Sequence, residues 1–172
     1  MSTTQLSRRD FSARLALLVP ALGLGGFGCA PAARRPQGDG ISRDAEAIHQ
    51  EVTFAASPAR LYEALLDEKR FAAWTGGQAT SIDRAPGGAL SLFGARIKGR
   101  NVELVTNARI VQAWRSEGWD AGVYSIVRFE LTAQGTGTKL VFDHTGFPKG
   151  QADHLVGGWK SNYWDPLNKY LA

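Results

Sequence analysis

The segment 151–172 has the clearest pattern of apolar and polar positions in the chain. At about 100° per residue its apolar side chains fall on one stripe of a helix, and most polar ones fall away from it. The stripe carries Ala152, Leu155, Trp159, Tyr163, Pro166 and Tyr170, with Asn162 at its margin and Trp164 on the opposite side. The pattern predicts a long C-terminal helix with a buried aromatic face. Such a face requires a large concave partner.

The middle of the chain alternates apolar and polar residues, which is typical of half-buried strands. A first strand is predicted at Ala47–Phe54, where Ile48, Val52 and Phe54 share one side. Turn signals divide the later part into strands at 89–93, 96–105, 108–115, 124–131 and 139–145. The tightest hairpin signal, Gly135-Thr136-Gly137, precedes the last of these strands.

Two short helices are predicted between the first strand and the others. Ser57 is a helix N-cap followed by Pro58 at the first helical position, and Asp67 caps a second helix over Glu68–Trp74. The order is therefore strand, two short helices, consecutive antiparallel strands and one long helix. This order predicts an α+β domain in which a curved antiparallel sheet of about seven strands surrounds the C-terminal helix.

The N-terminal segment has the pattern of an export signal. Paired Arg8 and Arg9, with Phe11 two positions on, precede an apolar run over 15–27 that is too short to span a membrane comfortably. The pattern resembles the bacterial twin-arginine (Tat) signal, which implies export to the periplasm by the Tat machinery. We expect residues 1–32 to be the signal, 33–44 a flexible linker and 45–172 the folded domain.

The only cysteine, Cys29, lies where this apolar run ends. Its position resembles that of the acylated cysteine of bacterial lipoproteins, although Gly26 stands where such proteins usually have Leu. A soluble periplasmic protein and a lipid-anchored one both remain open. The membrane is expected to be a partner only through the signal or this anchor.

Charge argues against nucleic acid as a partner. The whole chain carries a formal charge of +4, but residues 1–40 hold five arginines against two aspartates, which leaves 15 basic and 14 acidic groups in 41–172. The expected domain is nearly neutral and has no basic stripe, so it lacks an electrostatic footprint for phosphates.

No catalytic or metal-binding motif is recognisable in the sequence, so neither metal nor cofactor is expected. His144 shares a strand face with Leu140 and Phe142 and should point inward. It is interpreted either as a core histidine satisfied by a backbone partner or as a polar group in a cavity. His154 lies off the helix stripe and is expected to be solvated. Glu103 and Asn101 are weaker inward candidates.

The domain also resembles a known family. The likeness rests on residues found in the right order: Ser57-Pro58 through Trp74, Gly87-Gly88, Gly99, Ile110 to Arg115, Gly137-Thr138, His144 to Pro148, Gly158-Trp159 and Tyr163 to Leu167. Together they are similar to the activator of heat-shock-protein-90 ATPase homologue family, within the SRPBCC (START-like) superfamily. The resemblance implies the helix-grip fold but no single function, because that fold serves carriers, receptors, cyclases and chaperone partners.

We expect an exported carrier or sensor that holds a small apolar or amphipathic molecule between the sheet and the C-terminal helix, with no catalysis. The predicted cavity residues are Trp74, Trp114, Val127, Phe129, Phe142, His144, Leu155, Trp159 and Tyr163. Two alternatives remain. One is a cyclase-type or hydrolase-type enzyme with His144 as acid or base, and the other is a protein-binding module that uses an exposed Trp164.

Overall fold

The computed structural model describes residues 46–172. The predicted signal with Arg8, Arg9 and Phe11, the candidate lipidation site Cys29 and the linker all lie outside the described residues. None of the helices within 46–172 combines the length and apolarity needed to cross a bilayer.

The described chain forms a seven-stranded antiparallel sheet, which confirms the predicted α+β arrangement. The strands are β1 (Ala47–Phe54), β2 (Ser81–Ile82), β3 (Ala89–Leu92), β4 (Ile97–Val105), β5 (Arg109–Ser116), β6 (Ser125–Gln134) and β7 (Gly137–Thr145). Their order is β1-β7-β6-β5-β4-β3-β2, so consecutive hairpins run from β2 to β7 and β1 returns beside β7. Alternation did not predict β2, because two residues are too few to show a period.

Two short helices, α1 (Pro58–Leu66) and α2 (Glu68–Trp74), follow β1 as predicted. The Ser57 hydroxyl accepts a hydrogen bond from the Arg60 N–H at 3.4 Å, and the Asp67 carboxylate accepts one from the Arg70 N–H at 2.9 Å. Each cap satisfies a backbone donor that the first helical turn leaves free. Local sequence therefore determines where both helices begin.

The C-terminal helix consists of α3 (Ala152–Trp159), a π-helical turn (Lys160–Trp164) and α4 (Asp165–Leu171). The Asp165 N–H donates to the carbonyl of Lys160, five residues earlier. Pro166 follows directly, and in a regular helix its ring would clash with the carbonyl four residues before it. The wider turn relieves this clash and adds one residue to the helical phase.

This added residue makes two details of the predicted helix wrong. Trp164 is buried, with its ring stacked on Trp159 at 5.5 Å, and its indole N–H donates to Gln50 at 2.8 Å. Trp164 is therefore no exposed partner surface. Tyr170 was expected on the buried stripe but is 36% exposed, and Leu167 and Leu171 pack inward instead.

Aromatic rings join the helix to the concave face of the sheet. Trp159 packs against Phe142 at 4.2 Å between ring centres, against Tyr163 at 4.5 Å and against Trp114 at 5.0 Å. Trp74 from α2 packs 5.1 Å from Tyr163. Much of the space between helix and sheet is thus filled, and the remaining space lies beside α3 toward one end of the sheet.

Candidate functional site

A cavity of about 230 Å³ opens between α3, the π-helical turn and one end of the sheet. Its floor is made of four buried side chains, Trp114, His144, Trp159 and Tyr163. Its other lining residues are Gln78, Phe93, Arg96, Ile97, Ser116, Trp119, His154, Leu155, Gly158 and Asn162. Exposed polar side chains stand at its mouth, so the site has an aromatic floor and a polar rim.

The nine predicted cavity residues divide between this cavity and the core. Five line it: Trp114, His144, Leu155, Trp159 and Tyr163. Four do not: Trp74, Val127, Phe129 and Phe142 are at most 5% exposed and belong to the packed core. These four lie where Trp159, Tyr163 and Trp164 contact the sheet and the short helices directly, which leaves no space beside them.

His144 is 1% exposed and both of its ring nitrogens have partners. The Trp159 indole N–H donates to Nδ1 at 3.0 Å, and Nε2 lies 2.8 Å from the Ser125 hydroxyl oxygen. Because an indole nitrogen only donates, Nδ1 must be the acceptor and the proton must sit on Nε2. Ser125 then accepts from Nε2 and donates to the Trp114 carbonyl at 3.4 Å. The inward orientation is as predicted, but the partners are side chains and not a backbone group.

These contacts favour the neutral imidazole. Burial lowers the pKa of His144 from 6.5 to about 4, because the charged form loses its hydration. A proton added at Nδ1 would also face the Trp159 donor. His144 therefore carries no charge near neutral pH, and it offers a ligand neither a free donor nor a free acceptor.

A second buried polar chain supports the floor from behind. The Trp114 indole N–H donates to Gln112 at 2.9 Å, Gln112 donates to Asn101 at 2.9 Å, and Asn101 donates to the Asp83 carbonyl at 2.6 Å. All three side chains are at most 5% exposed. The orientation of Trp114 is thus determined by a chain of bonds that reaches the loop before β3.

A β-bulge separates the two weaker candidates on β4. The pairing with β5 shifts between Asn101 and Glu103, so Asn101 points inward while Glu103 bonds Arg109 on the outer face at 2.6 Å. A bulge turns residues two apart to opposite faces of a strand. Glu103 therefore lies away from the cavity.

Tyr163 provides a polar atom that the described structure leaves free. Its side chain is 3% exposed, burial alone raises its pKa well above 10, and its hydroxyl has no hydrogen-bond partner within 46–172. Among those residues, the only side-chain polar atom that is wholly enclosed without a partner is Oε2 of Glu46. Tyr163 lines the cavity, so we expect its hydroxyl to lie within reach of a molecule bound there.

The turn between β3 and β4 shapes the rim. Phe93, Gly94 and Ala95 have φ angles of 54°, 68° and 70°, and such left-handed geometry costs about 1–3 kcal/mol for each residue other than glycine. The Phe93 ring packs 5.5 Å from Tyr163, and Arg96 extends from the same turn to the rim. The turn is held in a strained form that places both side chains on the cavity.

Sequence reasoning missed most of this rim. Phe93, Arg96 and Ile97 belong to a turn and a strand start, where apolar periodicity gives no information on orientation. A turn between the predicted strands 89–93 and 96–105 follows from the sequence, but its left-handed geometry does not. His154 is exposed as predicted and nevertheless lies at the mouth of the cavity. Within 46–172 no group of three or more His, Cys, Asp or Glu side chains is arranged to hold a metal ion.

Comparisons with known proteins agree with this fold. The chain is 32% identical over 115 residues to an activator of 90 kDa heat shock protein ATPase homolog from Dictyostelium discoideum, covering 66% of this chain and 30% of that protein. It is 24% identical over 117 residues to the human activator homolog 1, covering 68% of this chain and 34% of that protein. The match thus spans about a third of the length of these relatives.

A solved structure shares the fold at similar coverage. The crystal structure of an Hsp90 activator from Plasmodium falciparum superposes with a TM-score of 0.65 at 25% identity, over 68% of this chain and 89% of that one. Residues 55–172 also match the family described as Activator of Hsp90 ATPase homolog 1-like protein. The chain therefore belongs to this family, with its curved sheet and C-terminal helix.

Proposed function

We propose that the protein is an exported carrier or sensor that binds a small, largely apolar molecule in the cavity beside α3. The observation that carries this proposal is a buried aromatic floor that includes the Tyr163 hydroxyl, which has no hydrogen-bond partner within 46–172. Ligand sites typically combine an apolar lining with a few polar groups that orient the ligand. A cavity of about 150 Å³ can hold benzene, so one of about 230 Å³ fits roughly nine non-hydrogen atoms.

The geometry does not favour acid–base catalysis by His144. A general acid or base works best with a pKa near the operating pH and within reach of substrate. Burial holds the pKa of His144 at about 4, and Trp159 and Ser125 occupy its two nitrogens. The relatives are named as activators of a heat shock protein ATPase, but this chain matches only about a third of their length. The proposed ligand binding does not depend on that activity.

Filling the cavity tests the binding proposal, and two adjacent glycines of α3 offer a matched pair. Gly158 lines the cavity, and a Cβ added there meets nothing nearer than the Asn162 amide at 3.8 Å. Gly157 does not line it, and a Cβ there meets nothing within 4 Å. We expect Gly158→Leu to abolish binding of a small aromatic probe such as benzamide, whereas Gly157→Leu retains it. Equal binding by both variants would contradict the proposal.

Export is the second part of the proposal and rests on Arg8, Arg9 and Phe11. Replacement of both arginines by lysine should retain the protein in the cytoplasm, since Tat signals depend on the arginine pair. Cell fractionation measures this, and a periplasmic double variant would refute Tat export. Lipid attachment at Cys29 is tested by the mass of the mature protein beside that of Cys29→Ser.

A further inference from the structure

Within 46–172, the cavity lining carries a positive charge but no negative one. Among the described lining residues there is one arginine, Arg96, and no aspartate or glutamate. Arg96 is exposed at the rim and makes no ion pair with any residue of 46–172. The backbone of its neighbour Glu117 is joined to it, since the Glu117 N–H donates to the Arg96 carbonyl at 2.6 Å.

Three other arginines of this domain form ion pairs, whereas Arg60, Arg70 and Arg100 form none with any residue of 46–172. Arg84 binds Glu63 at 2.6 Å, Arg109 binds Glu103 at 2.6 Å, and Arg128 binds Asp143 at 2.7 Å. What distinguishes Arg96 is its place beside the cavity, on a turn with three consecutive left-handed residues that the Phe93 ring anchors. Backbone strain of this kind concentrates at ligand sites, where the surrounding structure maintains it.

We infer that the ligand is a small aromatic or apolar anion whose negative group is bound by Arg96. This inference rests on the proposed binding function and adds the charge class of the ligand. The apolar part lies on the floor of Trp114 and Trp159, and the anionic group lies at the rim. A guanidinium matches a carboxylate with two parallel N–H donors, which gives direction as well as charge. Among the described residues, Arg96 forms no ion pair and the lining has no carboxylate, and both facts favour an anion over a cation.

Benzoate, benzamide and benzamidinium test this inference, because they share one shape of about nine non-hydrogen atoms and differ in charge. Ligands of this size bind at about millimolar to micromolar concentrations. Each is titrated into the full chain, and binding is followed by NMR at the indole N–H resonances of Trp114 and Trp159. We expect benzoate to bind roughly threefold to tenfold more tightly than benzamide, since a partly exposed ion pair contributes modestly. Benzamidinium should bind most weakly.

Two variants of Arg96 test whether this residue causes the preference for benzoate over benzamide. Arg96→Gln should bind benzoate and benzamide equally, while Arg96→Lys keeps part of the preference because it keeps the charge. Lys98→Gln removes a neighbouring exposed charge that does not line the cavity, and it should behave like the wild-type protein. High salt should reduce the preference for benzoate by screening.

Binding of the three probes shows whether the charge preference alone is wrong or the binding function as well. If the wild-type protein binds benzamide as tightly as benzoate, or if Arg96→Gln retains the preference, the inference is wrong and the binding function stands. If none of the three probes shifts either indole resonance, the binding function fails and the inference fails with it.

Discussion

His144 should make the stability of the protein depend on pH in a way that one substitution removes. Burial lowers its pKa from 6.5 to about 4 in the folded state, whereas in the unfolded chain it keeps its ordinary value near 6.5. Between these values the unfolded chain binds the proton and the folded protein does not. Stability is therefore fully present above pH 6.5 and is lost as the pH falls toward 4.

The size of this loss follows from the shift. The pKa of His144 differs by about 2.5 between the folded and unfolded states, and each unit corresponds to about 1.4 kcal/mol. By pH 4 the free energy of unfolding therefore falls by about 3 kcal/mol. His144 is 1% exposed, so solvent does not screen the effect appreciably. The loss is a large fraction of the roughly 5–15 kcal/mol by which a domain is usually stable.

Urea unfolding at a series of pH values from 7.5 to 4 measures this effect on the wild-type protein and on His144→Gln. The variant has no titrating group at this site, so its free energy of unfolding should fall by about 3 kcal/mol less than that of the wild type over the range. Carboxylates that titrate near pH 4 affect both proteins alike. His154→Gln removes an exposed histidine and should follow the wild-type profile. Parallel profiles for the wild type and His144→Gln would show that burial does not lower the pKa of His144 in the folded protein.

Two further substitutions test how the sheet supports the cavity. Gly99→Ala should destabilise the protein by about 2–3 kcal/mol in urea unfolding, because the new Cβ would overlap the backbone oxygen of Ala113. Gly157→Ala is its control in open space on α3 and should stabilise by about 0.5–1 kcal/mol. A Gly99→Ala variant as stable as the wild type would contradict this packing. Gln112→Ala should cost about 2–4 kcal/mol, because it leaves the Trp114 indole N–H and a buried acceptor without partners. A neutral Gln112→Ala in the same assay would show that this chain of bonds contributes little.

Most of the fold was predictable because its signals are local and periodic. Ser57 and Asp67 mark helix starts by their capping chemistry, and alternation located every strand except β2. The phase of the last helix was predictable as far as Tyr163. Beyond it the π-helical turn shifts the pattern by one residue, which no calculation with a single helical period reproduces.

The candidate site was predictable only in its floor. His144 and Trp159 followed from strand alternation and the helix stripe, since those periods determine which side of an element is buried. The polar partners of His144 were not predictable, because Ser125 and Trp159 meet it only through the tertiary fold. The position of Arg96 at the rim depends on the left-handed backbone of the preceding turn. The sequence Phe-Gly-Ala does not indicate that geometry.

Native mass spectrometry of the protein purified from the cells that produce it shows whether the cavity holds a small molecule. We expect the added mass of a small organic molecule, of about nine non-hydrogen atoms, on the wild-type protein and on Gly157→Leu. Denaturation should release this mass, and Gly158→Leu should lack it. A wild-type protein that is consistently empty, and that binds no aromatic probe when one is supplied, would contradict the proposed ligand binding.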